Sequence, residues 1–372
     1  MAAMELNRFR DALAAGTLSR RDFHAVLASV GTVTLTIPAA AAQTFPIEVF
    51  TWPGYDAVAL RPDFDESHGA EPSFLLYADN DEAYYKVAAG FRPTLVQPTN
   101  HMLGRWRDAG LLKPIDTSRL ANHADILPAL RDIPALQDGD ETFGVPFAWG
   151  NSSIIYRKDL LPEGDNDQSW NVLWDADLAG RIAQRDSMDA VVLNAAMVLG
   201  IDDPYTMGEA DLERVREKLM EQRELLAFYW TGRSELEQAL VTGEVIAAYG
   251  WNASLASLKR RDIDVGFMVP REGVLTWVDC TCLVADGPGD EEEAYDYIDA
   301  GLSAEAGAYL INTFGYGAAN AGAFETVAPA RLADLGMEDP QGLLAASRFF
   351  GVWDPRTRET AVRMFEEIKA GF

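Results

Sequence analysis

The pattern of apolar and polar positions predicts alternating strands and helices in the first part of the chain. An apolar run over 47–51 predicts a strand that ends in a Pro-Gly turn. Helical spacing follows over 79–90, with acidic or amide residues at its start and a glycine at its end. A second strand breaks at Pro98, and helical spacing resumes over 102–116. This order of elements predicts an α/β fold.

The pattern changes over 141–161, where two β-rich pieces flank Trp149-Gly150. We interpret this stretch as a crossover between two lobes, because 372 residues are more than one domain of ordinary size needs. Further α/β units follow, with strands predicted at 181–184 and 245–249. A pair of strands over 262–285 is then expected to return the chain to the first lobe.

Side chains at the predicted strand ends suggest a binding site, because ligands of open α/β sheets bind beyond the carboxyl ends of strands. The residues at these ends are aromatic, acidic or histidine: Trp52, Tyr55, His101, Asp186, Asp189, Trp251, Trp277 and Asp279. Trp277 and Asp279 are two positions apart in one strand and therefore face the same side. Indole faces attract cations and carboxylates bind amines, which predicts a ligand with ammonium groups joined by methylenes.

Each of these residues also has a purely structural interpretation. Asp186 and Asp189 could cap the helix that begins nearby. His101 could be a loop residue that is hydrogen-bonded to the backbone. Asp279 needs a partner, since an unpaired buried carboxylate is costly, and an internal arginine would serve. Trp106, Trp170 and Trp174, on apparent helices, are expected to be packing residues.

Composition limits the classes of partner. The formal net charge of −27 argues against nucleic acid and anionic membranes, and it favours cations. A saline habitat or a GC-rich genome would also produce an acidic surface. Cys280 and Cys282 are expected to be buried free thiols, because residues two apart on one strand do not suit a disulfide. We expect no metal and no cofactor, and we expect a monomer.

The N-terminus has the features of a twin-arginine (Tat) export signal. Arg20 and Arg21 precede Phe23, an apolar run covers 25–37, and small residues lead to a predicted cleavage after Ala42. The alternative is an ordinary amphipathic helix. No other apolar run approaches the ~20 residues of a membrane span, and no lipobox cysteine follows, so we expect a periplasmic protein without a lipid anchor.

Several segments, in their order and spacing, resemble the periplasmic polyamine (spermidine/putrescine)-binding proteins of ABC importers. These segments are "VFTWPGYDA", "DAGLLKPIDTSRLAN", "VPFAWGNSSIIYRKD", "GEVIAAYGWNAS", "VPREGVLTWVDC" and "FGYGAAN". The resemblance implies the two-lobed type II periplasmic binding protein fold, with a mixed sheet flanked by helices in each lobe and a ligand cleft between the lobes. It implies a first lobe of 43–150 with 279–324 and a second of 151–278 with 325–372, after a signal peptide of 1–42.

The resemblance also implies roles for individual residues. Trp277 matches the tryptophan that covers the methylene chain of the polyamine, Asp279 the acid that receives one amine, and Trp251 a second wall. Further matches are the aromatic residues Trp52, Tyr55 and Tyr316, and the acids Asp186 and Asp189 at the other end of the ligand. Two positions depart from the usual pattern: His101 stands where Ser/Thr-x-Tyr is common, and Asp189 replaces a glutamate.

The implied function is capture of a putrescine- or spermidine-class polyamine and its delivery to ABC permease subunits, without catalysis. A second hypothesis keeps the fold and changes the ligand to thiamine, an aminophosphonate or ferric ion, the last through Tyr84 and Tyr85. Anion binders would want arginine or lysine at the strand ends, which we read as acidic. A third hypothesis is a Tat-exported enzyme, against which the chain lacks nucleophile-elbow, zinc-protease and dinucleotide motifs.

Overall fold

The computed structural model describes residues 46–165, 168–345 and 347–371, and for Glu163 and Asp165 it describes the backbone alone. The predicted export signal over 1–42 lies outside the described residues. Within the described ranges, no helix is both long and apolar enough to cross a membrane.

The strands of the described residues form two sheets, the larger of which borders a cavity. They are β1 Glu48–Thr51, β2 Ser73–Leu76, β3 Leu95–Val96, β4 Leu112–Lys113, β5 Gln137–Asp138, β6 Glu141–Thr142, β7 Val145–Arg157, β8 Ile182–Arg185, β9 Leu226–Trp230, β10 Ala247–Trp251, β11 Val265–Phe267, β12 Leu275–Val284, β13 Gly317–Ala318 and β14 Arg348–Phe349.

Helices connect most of these strands. They are α1 Phe64–His68, α2 Asn80–Ala88, α3 Leu103–Asp108, α4 Pro128–Arg131, α5 Met188–Val198, α6 Glu209–Arg223, α7 Arg233–Thr242, α8 Asn252–Arg260, α9 Glu291–Gly301, α10 Ala304–Tyr309, α11 Gly322–Thr326, α12 Pro329–Leu335, α13 Pro340–Ala345 and α14 Pro355–Ala370. Short 3₁₀ segments cover Val58–Leu60, Asn100–Met102, Thr117–Arg119, Ala121–Asp125, Pro134–Leu136, Pro162–Asp165, Trp170–Trp174, Ala176–Leu178 and Pro204–Thr206, and Leu310–Phe314 is a π-helical turn.

Twelve of these strands form a mixed sheet with the central order β2-β1-β3-β12-β7-β10-β8-β9, and β5 and β6 form a separate two-stranded sheet. β1 runs parallel to β2 and β3, and β8 runs parallel to β9 and β10. β7 and β12 lie between these two parallel groups and pair antiparallel with each other. The predicted α/β fold, with two groups of strands flanked by helices, is confirmed.

The long strands β7 and β12 hold the two groups together. All ten residues of β12 are buried. Its residues 275–281 pair with β7, with a register shift between Asp279 and Cys280, whereas Cys282 and Leu283 pair with β3. The sequence predicted two pieces around Trp149-Gly150, but β7 runs unbroken through them, because strands pair with it on both sides.

Local signals place the helices that border the strand ends. Asp79 caps α2, and its side chain accepts a hydrogen bond from the backbone N–H of Asp81. α7 ends at Gly243, whose φ of 75° is the left-handed conformation that glycine adopts without strain.

The buried free thiols predicted for Cys280 and Cys282 are confirmed. Most predicted strand boundaries differ from those observed by one to three residues, as is usual for element ends. The helix predicted over 102–116 is shorter, because α3 ends at Asp108 and β4 follows it.

The β7–β12 pairing generates a testable prediction at Gly150, which lies opposite Trp277. A methyl group at Gly150 would overlap the indole ring of Trp277. We expect Gly150→Ala to lower the free energy of unfolding by about 1–3 kcal/mol, as overpacking does in other cores. Urea denaturation measures the change. In the control Gly104→Ala, the added methyl group has nothing within 4 Å and should be neutral or stabilising, because alanine favours helix. Equal stability of the Gly150 variant and the wild type would contradict the prediction.

Candidate functional site

A cavity of about 410 Å³ lies at the carboxyl ends of β1, β3, β8, β9 and β10 and against the middle of β12. Of the site residues predicted from the sequence, the following line it: Trp52, Tyr55, His101, Asp189, Trp251, Trp277, Asp279 and Tyr316. Asp186 is absent from its lining. The cavity therefore brings together residues separated by more than two hundred positions in the chain.

Asp279 lies in the wall of the cavity and is only 6% exposed. Its two carboxylate oxygens accept hydrogen bonds from the hydroxyls of Tyr55, at 2.8 Å, and Thr99, at 2.9 Å. Among the described residues, no cationic side chain lies within ion-pair distance of Asp279, so its protein partners are neutral hydroxyls and not the internal arginine of the structural interpretation. The carboxylate keeps further acceptor capacity toward the cavity.

The environment of Asp279 changes its acidity. Burial raises the pKa of its carboxyl to about 7, because the charged form loses its hydration. The hydrogen bonds from Tyr55 and Thr99, and the positive charges nearby, act in the opposite direction but do not outweigh burial. An ammonium group in the cavity would supply a positive counter-charge, which the neutral hydroxyl partners of the carboxylate do not provide.

Asp189 is held differently, by two groups of the protein. It lies in the first turn of α5, where the Nε1–H of Trp353 donates to one carboxylate oxygen at 2.6 Å and His101 Nε2 lies 3.3 Å from the other. Burial opposes ionisation of Asp189, but the hydrogen bond and charge of His101 outweigh it, and the pKa of Asp189 lies below its ordinary value. The His101 ring stacks on Phe350, which also lines the cavity.

Asp186 points away from the cavity. Its carboxylate pairs with the ammonium of Lys369 at 2.7 Å, and its backbone N–H donates to the carbonyl of Trp230 at 2.8 Å. Successive side chains of an extended segment point to opposite sides. Because Arg185, the residue before it, lines the cavity, Asp186 faces outward.

Aromatic rings form the rest of the wall. The ring of Tyr316 meets Trp277 edge-to-face at a centroid distance of 4.6 Å and stacks on Phe314 at 5.5 Å. Trp251 meets Trp230 edge-to-face at 5.1 Å. Trp277 is 8% exposed, and its Nε1–H has no hydrogen-bond partner among the described residues. These rings offer apolar faces suited to a methylene chain.

Two charged residues of the cavity are absent from the site predicted from the sequence, in which the strand ends were interpreted as acidic. Arg185 is the last residue of β8, and its guanidinium lies 4.7 Å from the ring centre of Trp251. Arg233 begins α7, directly beyond β9. The position of both residues at strand ends was the available signal. The same is true of Thr99, which follows β3 and Pro98.

The alternative metal hypotheses gain no support from the described residues. Tyr84 and Tyr85 lie on α2 outside the lining of the cavity, where the guanidinium of Arg105 lies 3.7 Å from the ring centre of Tyr84. Within the described ranges there is no group of three or more histidine, cysteine, aspartate or glutamate side chains that could hold a metal ion.

The fold is that of the periplasmic binding proteins. A structure described as a putative spermidine/putrescine ABC transporter from Listeria monocytogenes superposes with a TM-score of 0.78 at 21% identity, covering 87% of this chain and 98% of that one. The protein MotA from A. tumefaciens, solved in complex with glucopine, superposes with a TM-score of 0.69 at 15% identity over 87% of this chain and all of that one.

Residues 73–336 match the family described as bacterial extracellular solute-binding protein, and the chain belongs to this family. The putrescine-binding periplasmic protein PotF of Escherichia coli is 23% identical over 359 residues, which cover 92% of this chain and 94% of that protein. The resemblance to polyamine-binding proteins is thus confirmed as distant homology. The chain is an extracytoplasmic solute-binding protein of an ABC transporter and not an enzyme.

The raised pKa of Asp279 predicts how stability changes with pH. Because the pKa of about 7 exceeds the ordinary 3.8, the folded protein binds more protons than the unfolded chain between these values. The free energy of unfolding contributed by this group therefore falls as pH rises from about 4 to 7. We expect the Asp279→Asn variant to lack this loss. Its free energy of unfolding, compared with that of the wild type, should therefore rise as the pH increases from about 4 to 7. Urea denaturation at several pH values measures the difference.

The control for this experiment is Asp202→Asn, at an exposed position. Its stability relative to the wild type should not show the same trend. Parallel pH profiles for the wild type and Asp279→Asn would contradict the prediction.

Proposed function

We propose that the solute is an alkyl amine whose protonated end binds at Asp279, and that polyamines of the putrescine or spermidine class are the first candidates. The observation that carries this proposal is the buried carboxylate itself. Asp279 faces the cavity and has a pKa raised by burial, and among the described residues its carboxylate is hydrogen-bonded only by the hydroxyls of Tyr55 and Thr99. An ammonium ion both satisfies its remaining acceptor sites and stabilises its charge.

The aromatic wall supports an alkyl chain next to the amine. Trp277 is on the same strand face as Asp279, and Tyr316 packs against its ring. An amine bound at Asp279 would lay its methylenes along these rings, and its charge would gain from the indole face by about 0.5–2 kcal/mol. Relatives named for putrescine or spermidine binding are consistent with this chemistry.

Solute capture would close two lobes around the cavity. We propose that the lobes have the boundaries inferred from the sequence, 43–150 with 279–324 and 151–278 with 325–372. The cavity lining supports this division, since Trp52, Tyr55 and Asp279 fall in the first lobe and Trp251 falls in the second. Closure would then present a surface from both lobes to the permease subunits.

The amine proposal predicts binding that depends on both Asp279 and Trp277. Isothermal titration calorimetry of the mature chain with putrescine, cadaverine, spermidine and spermine should show saturable binding of at least one amine. Asp279→Asn should weaken it by about tenfold to a hundredfold, because a charge-assisted hydrogen bond is lost. Trp277→Ala should weaken it by a few-fold to about thirtyfold.

The matched control is Trp174→Ala, at a partly buried tryptophan outside the cavity lining, and thermal unfolding checks that each variant is folded. Absence of binding for every amine would refute the proposal. Binding that survives both cavity substitutions would refute the assignment of these residues.

We further propose that the chain leaves the cytoplasm by the twin-arginine route and matures by cleavage after Ala42. The support is the joint occurrence of Arg20 and Arg21, the apolar run and the small residues that follow it. Replacing Arg20 and Arg21 together by lysine should abolish export, measured as the amount of the chain in the periplasmic fraction. The equivalent double exchange of Arg8 and Arg10 should leave export unchanged. Export that persists without the twin arginine would disprove the route.

A further inference from the structure

The part of the cavity formed by β8, β9 and β10 carries two arginines that an amine site does not require. Arg185 ends β8 and Arg233 begins α7, and both line the cavity. The Arg185 side chain is only 14% exposed, whereas that of Arg233 is 39% exposed. The cavity thus combines one carboxylate site with two permanent positive charges.

Arg185 covers the aromatic wall that a second ammonium group would need. Its guanidinium carbon lies 4.7 Å from the centre of the Trp251 ring, which is the distance of a cation–π contact. A ligand ammonium at this wall would meet a charge of its own sign in place of an open indole face. A diamine would therefore find only one favourable end in this cavity.

The other acid of the cavity differs from Asp279, because one of its partners is a histidine ring that can carry positive charge, whereas both partners of Asp279 are neutral hydroxyls. Both carboxylate oxygens of Asp189 already have partners in the protein, namely the indole N–H of Trp353 and the ring of His101. Binding a second ammonium at Asp189 would compete with these contacts. The resemblance implied two acids, Asp186 and Asp189, at this end of the ligand. The cavity instead has Asp189, which is bound by protein groups, and Arg185.

Both arginines retain donors for an anion. Arg185 donates a long hydrogen bond of 3.4 Å to the carbonyl oxygen of Ala78. Its distance of 3.8 Å from the carboxylate of Asp79 is too long for a hydrogen bond. Arg233 lies 3.3 Å from Glu237, one turn along the same helix. A guanidinium has five N–H donors, so these contacts leave several of them for a ligand.

The positive charges of Arg185 and Arg233 also act on Tyr316, which is part of the aromatic wall of the amine site. Burial raises the pKa of the Tyr316 phenol, and the charges of Arg233 and Arg185 both act against that rise. Tyr316 packs on Trp277, the residue proposed to cover the alkyl chain. Asp279 and both arginines line the same cavity, so a short alkyl chain bound at Asp279 could place its other end toward the guanidinium groups.

We propose that the solute is an amine that carries a carboxylate at its other end, with the amine bound at Asp279 and the carboxylate bound by Arg185 and Arg233. The inference rests on the proposed amine site and narrows the solute from alkyl amines in general to ω-amino carboxylates. The planar guanidinium matches a carboxylate with paired hydrogen bonds. Trp251 acts as a positioning residue, since its ring supports the guanidinium of Arg185.

The first arm of the test compares ligands on the unaltered mature chain. Calorimetric titration uses 5-aminopentanoate, putrescine and pentylamine, which share an ammonium group and a run of methylenes and differ at the other end. 4-Aminobutanoate and 6-aminohexanoate extend the series in length. We expect the best amino carboxylate to bind at least about tenfold more tightly than putrescine.

The second arm uses Arg185→Gln and Arg233→Gln, with Arg181→Gln as the control at an exposed arginine near the start of β8. Each cavity variant should lower the affinity for the amino carboxylate by at least about tenfold relative to the affinity of the same variant for pentylamine, which has no carboxylate for the guanidinium to bind. The control should change neither ligand. Thermal unfolding establishes that the variants are folded, and the first arm does not depend on them.

The outcomes separate this inference from the amine proposal. If putrescine binds as tightly as every amino carboxylate or more tightly, the inference is wrong and the amine proposal stands. If amino carboxylates bind more tightly but both arginine variants bind them normally, the assignment of the arginines is wrong. If no amine and no amino carboxylate binds, the amine proposal fails and the inference fails with it.

Discussion

The antiparallel pairing of β7 with β12 is the constraint on which the site depends. The register places Trp277 opposite Gly150 and Asp279 opposite Ala148, so small residues leave room for the large side chains of β12. The register shifts after Asp279, β12 remains paired with β7 through Thr281, and Cys282 and Leu283 pair with β3. Near this crossover Asp279 forms an isolated bridge with Thr99 and accepts a hydrogen bond from its hydroxyl, which gives the cavity its carboxylate wall.

A buried carboxylate and a largely buried arginine in one cavity are costly unless each is satisfied. The protein supplies Asp279 with two hydroxyls and Arg185 with an aromatic face and a carbonyl, and neither set includes an ion pair at hydrogen-bond distance. Such partial satisfaction holds the side chains in place and leaves each charge without a counter-charge at hydrogen-bond distance. In a low-dielectric cavity this complementarity can provide both affinity and selectivity.

The fold of this family does not decide its solute. Structures that superpose on this chain include a protein described for spermidine and putrescine and one solved with glucopine. The net charge of −27 describes the surface and says little about a cavity lined by two aspartates, two arginines and a histidine. Selectivity therefore depends on the few charged side chains that face the cavity.

The sequence by itself determined the α/β order of elements, the caps of the helices, the buried thiols and the pairing of Trp277 with Asp279 on one strand face. These features depend on local periodicity and chemistry, which the chain shows directly. Tertiary structure alone decided which acids and arginines reach the cavity. Asp186 turns outward to Lys369 while Arg185 turns inward to Trp251. Neighbouring residues of an extended segment face opposite ways, and only the packing of the whole sheet fixes which side is the cavity.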